Sequence, residues 1–580
     1  MSDGQHGTGS APTHGDAQGG PGQPAQGTAQ GSGQHAETEW IGSGDPPQAG
    51  GPPRDGSDGP RKPGRRALVV GAAVAAVLLV GGGGVLAFQL LSGGGPQPAD
   101  AIPASAMAYA RIDLDPSADQ KINAVRLLRS VPQFEEETGI TSDTDDLRKR
   151  LFELALEEEE ACSDLTYDDD IAPWIGDRAG AAALPAAEGE EPDALVVLQV
   201  SDEAAARDGV QALIDCGSSE DEAEGPGGIA FVGEYLLLAE TQELADEFAA
   251  DAEEQPLSEA EGFSADMAAL DGEGLMSFWV DLDQVVTYAE QEDDTETVEF
   301  LEAMGYDELG SLSVAVRAQS DALELVYAGR GDLLKLGLGS DEPVGDVQDL
   351  PESTLMAVAF TGGDEAINRL WETLAGLESF GSDGGFGPGA LEEFATEVEG
   401  ETGLAIPEDV GVLLGDEFTM AVDSEGFELT EDGAPDPATI NVGARMRTNA
   451  AAASDLVTRV EALLSEQGVP FEIAQQEVDD GLVIAANEDY AERLASDGGL
   501  GDSDVYDAAV ADADEAVSVL FVDIDKGTEL ADRIAGDLGT PLPAEVSETL
   551  EVFRALGVST TVDGDYTRTT TRLVFDVTEG

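Results

Sequence analysis

The chain has 580 residues, of which 120 are acidic and 27 are basic, and its formal net charge at pH 7 is −93. A surface with this charge repels nucleic acid and anionic lipid headgroups, so we expect neither as a direct ligand. The acids are spread along the whole chain, which is typical of a solvated acidic surface rather than of one dedicated acidic site.

Residues 1–60 consist mainly of Gly, Pro, Gln, Ser and Ala, with hardly any large apolar side chains. Such a segment cannot bury enough apolar surface to offset the entropy lost on ordering, so we expect a disordered cytoplasmic tail. The three histidines of the chain all lie in this tail and are too far apart to indicate a metal site: His6, His14 and His35.

Residues 67–91 contain no charged residue. At about 1.5 Å per residue the segment is long enough to cross a hydrocarbon core of roughly 30 Å, which predicts a single transmembrane helix. Four bases stand directly before it: Arg61, Lys62, Arg65 and Arg66. Because basic flanks stay in the cytoplasm, we expect an extracytoplasmic chain from residue 92 onward. A cleaved signal peptide is the main alternative, but a long segment precedes the run and no small-residue cleavage site follows it.

Residues 92–102 are expected to form a tether, and the chain beyond them contains an internal duplication. Five segments recur in the same order, and the paired segments begin at Pro103 and Pro351, Trp174 and Leu413, Tyr235 and Gly481, Ser277 and Val519, and Leu323 and Thr571. Chance similarity between alternating apolar stretches is the alternative, but both order and spacing are preserved. We predict one module at 103–330, a linker at 331–350 and a second module at 351–577.

Short runs rich in β-branched and aromatic residues predict strands, and apolar residues three and four positions apart predict the helices between them. Tight turns join several strands, as in the segment from Gly228 to Glu240, and indicate antiparallel pairing. The predicted fold class is therefore α+β. It comprises a disordered N-terminal tail, one transmembrane helix and two tandemly duplicated modules, each with a mainly antiparallel sheet and packed helices.

The two cysteines of the chain, Cys162 and Cys216, both lie in the first predicted module. An even number of cysteines in an oxidising compartment favours a disulfide, which would stabilise the fold by about 4 kcal/mol. Two buried free thiols are the alternative. The matched positions of the second module lack cysteine, so the bond would be specific to the first module.

The outer part of the chain offers no recognisable reactive site. No histidine follows residue 35, which excludes a Ser/His/Asp or Cys/His relay and a zinc site that uses imidazole. Three Asp-x-Asp pairs stand at predicted strand ends: Asp113 and Asp115, Asp281 and Asp283, and Asp523 and Asp525. Such pairs can chelate a cation, but capping of the following helix is the favoured interpretation. We expect no catalytic residues, no cofactor-binding residues and no metal ligands.

Residues 102–134, with the sequence Leu-Asp-Pro-Ser followed by Gln-Lys-Ile-Asn near their centre, carry a resemblance to a known family. The segment resembles the opening signature of an actinobacterial membrane-anchored family catalogued as domain of unknown function 3352. The resemblance would extend over residues 101–577, and it implies the arrangement of a tail, a single helix and an outer region. It implies no activity, because the family has no established function.

Three functional hypotheses follow. The leading one is a single-pass, extracytoplasmic, non-catalytic binding or scaffolding module of the cell envelope with an unknown partner. The second is a carrier or sensor of an apolar ligand lined by Phe278, Trp279 and Phe521, although core packing is favoured for these side chains. The third is a carbohydrate-active enzyme built on paired carboxylates, which would need two acids facing each other across a polar cleft.

Overall fold

We describe the fold from a computed structural model. The residues that the structure describes are 96–114, 118–131, 134, 148–150, 152–153, 162, 165–186, 191–217, 227–272, 274–291, 309–331, 339–377, 389–430, 433–436, 438–466 and 472–577. The predicted tail, its three histidines and Asp115 lie outside these residues.

The sixteen described strands form one sheet in which every neighbouring pair is antiparallel. The strands of the first half are β1 (Ala108–Asp113), β2 (Ile175–Leu184), β3 (Asp193–Val200), β4 (Gly228–Val232), β5 (Tyr235–Ala239), β6 (Met276–Asp281), β7 (Ser311–Ala318) and β8 (Ala322–Arg330). Those of the second half are β9 (Thr354–Thr361), β10 (Glu417–Asp423), β11 (Val442–Arg447), β12 (Ala474–Val478), β13 (Gly481–Ala485), β14 (Ser518–Asp523), β15 (Phe553–Asp563) and β16 (Tyr566–Phe575).

Helices pack against both faces of this sheet or against one another. In the first half they are α1 (Ala118–Ser130), α2 (Glu203–Gly217), α3 (Gln242–Glu254), α4 (Glu261–Ala268) and α5 (Leu282–Gln291). In the second half they are α6 (Gly363–Leu377), α7 (Ala390–Thr402), α8 (Glu408–Leu414), α9 (Ala450–Glu466), α10 (Glu488–Leu494), α11 (Asp504–Ala509), α12 (Ile524–Leu538) and α13 (Ala544–Leu550).

The two halves have the same strand order. From the middle of the sheet outward, the first half runs β8-β7-β6-β1-β2-β3-β5-β4 and the second runs β16-β15-β14-β9-β10-β11-β13-β12. The five matched sequence segments lie at corresponding strands, namely β1 and β9, β2 and β10, β5 and β13, β6 and β14, and β8 and β16. The repeated sequence pattern therefore coincides with a repeated topology.

The halves share one sheet, whereas the sequence predicted a sheet for each module. β8 and β16 pair along their lengths, from Arg330 opposite Tyr566 to Ala322 opposite Val574. Each strand would otherwise present a row of unpaired backbone N–H and C=O groups, and pairing the two strands satisfies both rows. We refer to this pair as the central seam.

The fold-class prediction is also corrected on its membrane-spanning element. Among the described residues, no helix combines the length and the apolar character that a bilayer crossing requires. The longest described helix, α9, has 17 residues and buries one face against the sheet. The segment predicted to span, 67–91, lies outside the described residues, and the single-pass description that rested on it is corrected with it.

Two of the three aromatic residues proposed as a ligand lining are packed in the protein core. Trp279 is 3% exposed and meets Phe263 edge-to-face, with 5.1 Å between ring centroids. Phe521 is fully buried and meets Tyr506 in the same manner at 5.3 Å. Phe278, next to Trp279 on β6, lies on the opposite face of the sheet and is half-buried.

The two cysteines form a disulfide, as the sequence predicted. Cys216 lies in the last turn of α2, and its Cα atom is 5.1 Å from that of Cys162. The bond ties the segment before β2 to the helix that follows β3. α2 packs over Trp174, Val200 and Leu236, so the disulfide fixes an element that already covers one face of the sheet.

Candidate functional site

The Asp-x-Asp pairs serve the fold in different ways. Asp281 accepts a hydrogen bond from the backbone N–H of Gln284 at 3.0 Å, and Asp523 accepts one from that of Lys526 at 2.9 Å. Capping is thus confirmed at these two residues. Asp113 does not cap a helix, because it is buried between Arg111 and Arg178, each 2.8 Å away. Among the described residues, no group of three or more His, Cys, Asp or Glu side chains is arranged to hold a metal ion.

A polar depression of the second half lies between α10 and α12, and we call it the α10–α12 groove. Its volume is about 1070 Å³. Its lining residues come from the start of β9, the turn after β10, α10 and the loop that follows it, and α12: Pro351, Glu352, Ser353, Ser424, Glu425, Asp489, Glu492, Arg493, Ser496, Asp497, Gly498, Lys526, Glu529, Leu530 and Arg533.

α12 forms one wall of the groove because helical spacing aligns Lys526, Glu529, Leu530 and Arg533 on one side. Asp523 fixes the first turn by capping it and by pairing with the Lys526 ammonium at 3.0 Å. The same ammonium donates to the carbonyl oxygen of Glu352 at 2.7 Å. Lys526 therefore ties α12 to the beginning of β9.

A buried carboxylate lies beneath the lining of the groove and holds several of its residues. Asp423 pairs with the guanidinium of Arg493 and accepts hydrogen bonds from the Ser353 hydroxyl and the Glu425 backbone N–H, both at 2.8 Å. Arg493 also contacts the Glu425 carboxylate at 3.2 Å and lies over the ring of Tyr490, 5.0 Å from its centroid. Because Arg493 is held from three sides, it is fixed in position before any ligand arrives.

The groove is acidic at its rim although three bases line it. Arg533 donates to the carbonyl oxygen of Ser424 at 2.8 Å, so it too has an internal partner. The exposed acids of the lining are Glu352, Glu425, Asp489, Glu492, Asp497 and Glu529. Burial raises the pKa of the neighbouring Asp349 carboxyl, and the negative charge of Asp497 raises it further. This electrostatic field favours a ligand that offers hydrogen-bond donors or positive charge.

The corresponding place in the first half has different chemistry. The matched segments align Arg493 with Glu247 and Lys526 with Gln284, while β2 carries buried Leu184 where β10 carries Asp423. The first half therefore lacks the Asp423–Arg493 ion pair at the matched positions. The groove chemistry is specific to the second half.

Reasoning from the sequence did not identify this site, although the duplication contained a usable signal. In a chain with only 27 bases, an arginine that replaces a glutamate and a lysine that replaces a glutamine stand out when the halves are aligned. Asp423 was not detectable in this way, because its counterpart in the first half is identified only from the strand register.

The hydroxyl groups of the groove lining have structural partners. Ser353 donates to Asp423, and Ser424 donates to the Ser353 carbonyl oxygen at 3.0 Å. The described lining contains neither histidine nor cysteine. The arrangement consequently suits recognition by fixed polar groups better than nucleophilic chemistry.

The sequence comparisons identify one family. The family described as "Protein of unknown function (DUF3352)" matches residues 68–575. No curated protein and no solved structure gives a significant match. Since the match covers most of the 580 residues, the chain belongs to the DUF3352 family of proteins of unknown function.

Proposed function

We propose that this protein is a non-catalytic binding or scaffolding module of the cell envelope and that it holds its partner in the α10–α12 groove. The observation that carries the proposal is the contrast between two halves with one topology. The second half has an ion pair between the buried Asp423 and the partly exposed Arg493, where the first half has Leu184 and Glu247.

The groove suits binding because its polar groups are fixed in advance. Each lining base has at least one internal hydrogen bond or ion pair, so little side-chain entropy remains to be lost when a ligand docks. The exposed carboxylates at the rim favour a partner with cationic or hydrogen-bond-donating groups. Nucleic acid is disfavoured as a partner, because the net charge of −93 repels phosphates.

An extracytoplasmic location is part of the proposal. The disulfide between Cys162 and Cys216 supports it, because disulfides persist in oxidising compartments and are rare in the cytosol. The acidic surface also suits an exterior rich in cations, where bound counter-ions reduce its self-repulsion.

Site-specific crosslinking in the native cell tests the groove. A photoreactive amino acid at Ser496, at the groove wall, is compared with the same residue at Ala250, which is exposed on α3 at the matched position of the first half. We expect a discrete adduct at position 496 and none at position 250. Equal labelling at both positions would show that the groove is not the binding surface.

A variant that imitates the first half provides the second arm. The double substitution Asp423→Leu with Arg493→Glu replaces the ion pair by the residues of the first half. We expect it to abolish the adduct at position 496, while a cooperative thermal unfolding transition shows that the variant is still folded. An unchanged adduct would contradict the proposal.

The non-catalytic part of the proposal has its own test. The purified full chain is incubated with panels of glycoside, ester, amide and phosphate substrates, and turnover is followed by mass spectrometry. We expect no substrate to be consumed beyond the amount of protein present. Multiple turnover that is lost in the double variant would place a reaction in the groove instead.

A further inference from the structure

The two outer edges of the sheet differ in whether a side chain blocks their backbone groups. The edge strands are β4 in the first half and β12 in the second, and they occupy equivalent positions in the strand order. An edge strand presents outward N–H and C=O groups that can pair with another chain unless they are blocked.

In the first half a side chain occupies the outward groups of β4. The backbone N–H of Ile229 donates to the Oε1 atom of Gln242 at 3.1 Å, and the Nε2 atom of Gln242 donates to the Ile229 carbonyl oxygen at 3.1 Å. The primary amide of Gln242 thus takes the place of a neighbouring strand. This contact blocks the middle of the β4 edge.

The described part of the second half shows no such block. Gln475 lies opposite Ile484 as Ile229 lies opposite Leu238, so Gln475 is the counterpart of Ile229. The counterpart of Gln242 is Glu488, and a carboxylate cannot donate a hydrogen bond to a strand carbonyl. Within the described part of the chain, the backbone N–H and C=O of Gln475 have no partner outside the sheet, although its side chain accepts from the Ser454 hydroxyl at 2.8 Å.

The ladder geometry fixes which groups point outward. β12 and β13 are joined by the two-residue turn Asp479–Asp480, with Val478 opposite Gly481 as the closing pair. In such a hairpin the closing pair is hydrogen-bonded and every second pair points its amides away from the partner strand. Gln475 and Glu477 are therefore the residues of β12 whose backbone groups face outward.

The charge around this edge selects among possible occupants. Five exposed acids lie on β12 and next to it: Glu472, Glu477, Asp479, Asp480 and Glu488. A second copy of the chain would bring the same acids to the interface, and directly opposed like charges destabilise strand pairing. A cationic strand would place its side chains beside these carboxylates. Charge complementarity thus favours a basic segment over self-association.

We propose that the outer edge of β12 binds an extended lysine- or arginine-bearing segment of a partner protein, which joins the sheet as an additional strand. The backbone groups of Gln475 and Glu477 supply the ladder hydrogen bonds, and the surrounding acids supply the preference for basic side chains. This docking edge does not depend on the α10–α12 groove, since it uses the β12 backbone.

A designed peptide tests the proposal on the full chain. The probe is acetyl-Lys-Val-Thr-Val-Lys-Val-Thr-Val-Lys-amide, and its controls are a version with Glu for Lys and a version N-methylated at alternate residues. We expect the cationic peptide to bind and to slow hydrogen exchange at the Gln475 and Glu477 amides at least tenfold. N-methylation keeps the charge but removes the ladder, so we expect at least tenfold weaker binding.

Two substitutions of one residue separate the edge block from the charge. Both Glu488→Gln and Glu488→Ala remove the charge, but only glutamine supplies the amide group that blocks the edge in the first half. We expect the glutamine variant to weaken peptide binding at least tenfold and the alanine variant no more than threefold. Equal effects of the two, or equal binding of the N-methylated peptide, would overturn strand addition. Amide protection that grows with protein concentration without peptide would overturn the choice of occupant in favour of a second copy.

Discussion

Glu324 illustrates how single residues hold the halves together at the central seam. It is buried on β8, with Arg317 of the same half 3.0 Å from one carboxylate oxygen and Arg572 of the other half 2.8 Å from the second. Burial alone would raise the pKa of Glu324, but the hydrogen bonds and positive charges of Arg572 and Arg317 outweigh it and hold the pKa below its ordinary value. Asp266 has a similar role, since it contacts Arg330 at 3.2 Å and Tyr566 of β16 at 2.8 Å.

Replacing Glu324 by Gln tests this seam contact. We expect the free energy of unfolding at pH 7 to fall by about 2 kcal/mol, because two partly exposed arginines lose their charged hydrogen-bond acceptor. An acid with a lowered pKa in the folded state stabilises the fold above its unfolded pKa, and this contribution is lost as the pH falls through the folded value. The difference between the variant and the parent chain should therefore shrink below about pH 4.

Urea denaturation followed by circular dichroism measures both effects. The control is Glu372→Gln, which changes an exposed glutamate on α6. We expect this control to shift the unfolding free energy by less than about 0.5 kcal/mol. A pH-independent difference for Glu324→Gln would show that the carboxylate charge does not carry the contact.

At the scale of elements, close packing distinguishes equivalent positions of the two halves. Gly557 on β15 lies opposite Phe521, as Ser313 on β7 lies opposite Trp279. α11 approaches β15 so closely that a Cβ atom at Gly557 would overlap the carbonyl oxygen of Ala509. The halves thus share an order of strands but differ in how closely their helices approach.

Two glycine substitutions with opposite expected signs test this packing. Gly557→Ala should lower the free energy of unfolding by about 2 kcal/mol, because α11 must move away from the sheet. Gly536→Ala lies in α12, where an added Cβ meets nothing within 4 Å, and should raise it by about 0.5–1 kcal/mol. Thermal unfolding measures both, and a neutral Gly557→Ala would contradict the close approach of α11.

The disulfide also acts at the scale of elements, because it fixes α2 to the segment before β2. Replacing Cys162 and Cys216 together by Ser should lower the free energy of unfolding by about 3–4 kcal/mol, because the bond closes a separation of 54 residues. Urea denaturation of the variant under non-reducing conditions gives the value. The parent chain treated with dithiothreitol is the control, and an unchanged midpoint in both would mean that α2 is held by packing alone.

Several of these features were predictable from the sequence. The pairing of the cysteines was predictable because the chain has only two, and the capping by Asp281 and Asp523 follows from local chemistry; both are present. The central seam was not predictable, because alternating residues define the faces of β8 and β16 but not the neighbour at a free edge. The ion pair of Asp113 was not predictable for a related reason, because its partner Arg178 lies 65 residues away on β2.

At the scale of the whole molecule, charge opposes compaction. The formal charge of −93 belongs to a chain whose described residues fold into one sheet, so carboxylates that are distant in sequence lie close together in space. Salt screens self-repulsion of this kind strongly, whereas it screens the buried contacts of the seam much less.

Raising NaCl from 0.01 to 1 M should therefore increase the thermal unfolding midpoint by about 5 °C or more, because the screening length falls from about 30 Å to 3 Å. Differential scanning calorimetry provides the measurement. KCl at the same ionic strength should give the same increase, which identifies screening as the cause. A midpoint that is insensitive to salt would show that repulsion among the carboxylates does not limit stability.

The central seam also has a consequence for biosynthesis. β8 ends at Arg330 and its partner β16 begins only at Tyr566, so the ribosome must add more than two hundred residues before the pair can close. At a synthesis rate of about 5–20 residues per second, the edge of β8 stays unpaired for roughly 10–50 s before β16 has been made. During that interval the edge of β8 is exposed, and a chaperone that covers it would prevent pairing between neighbouring nascent chains.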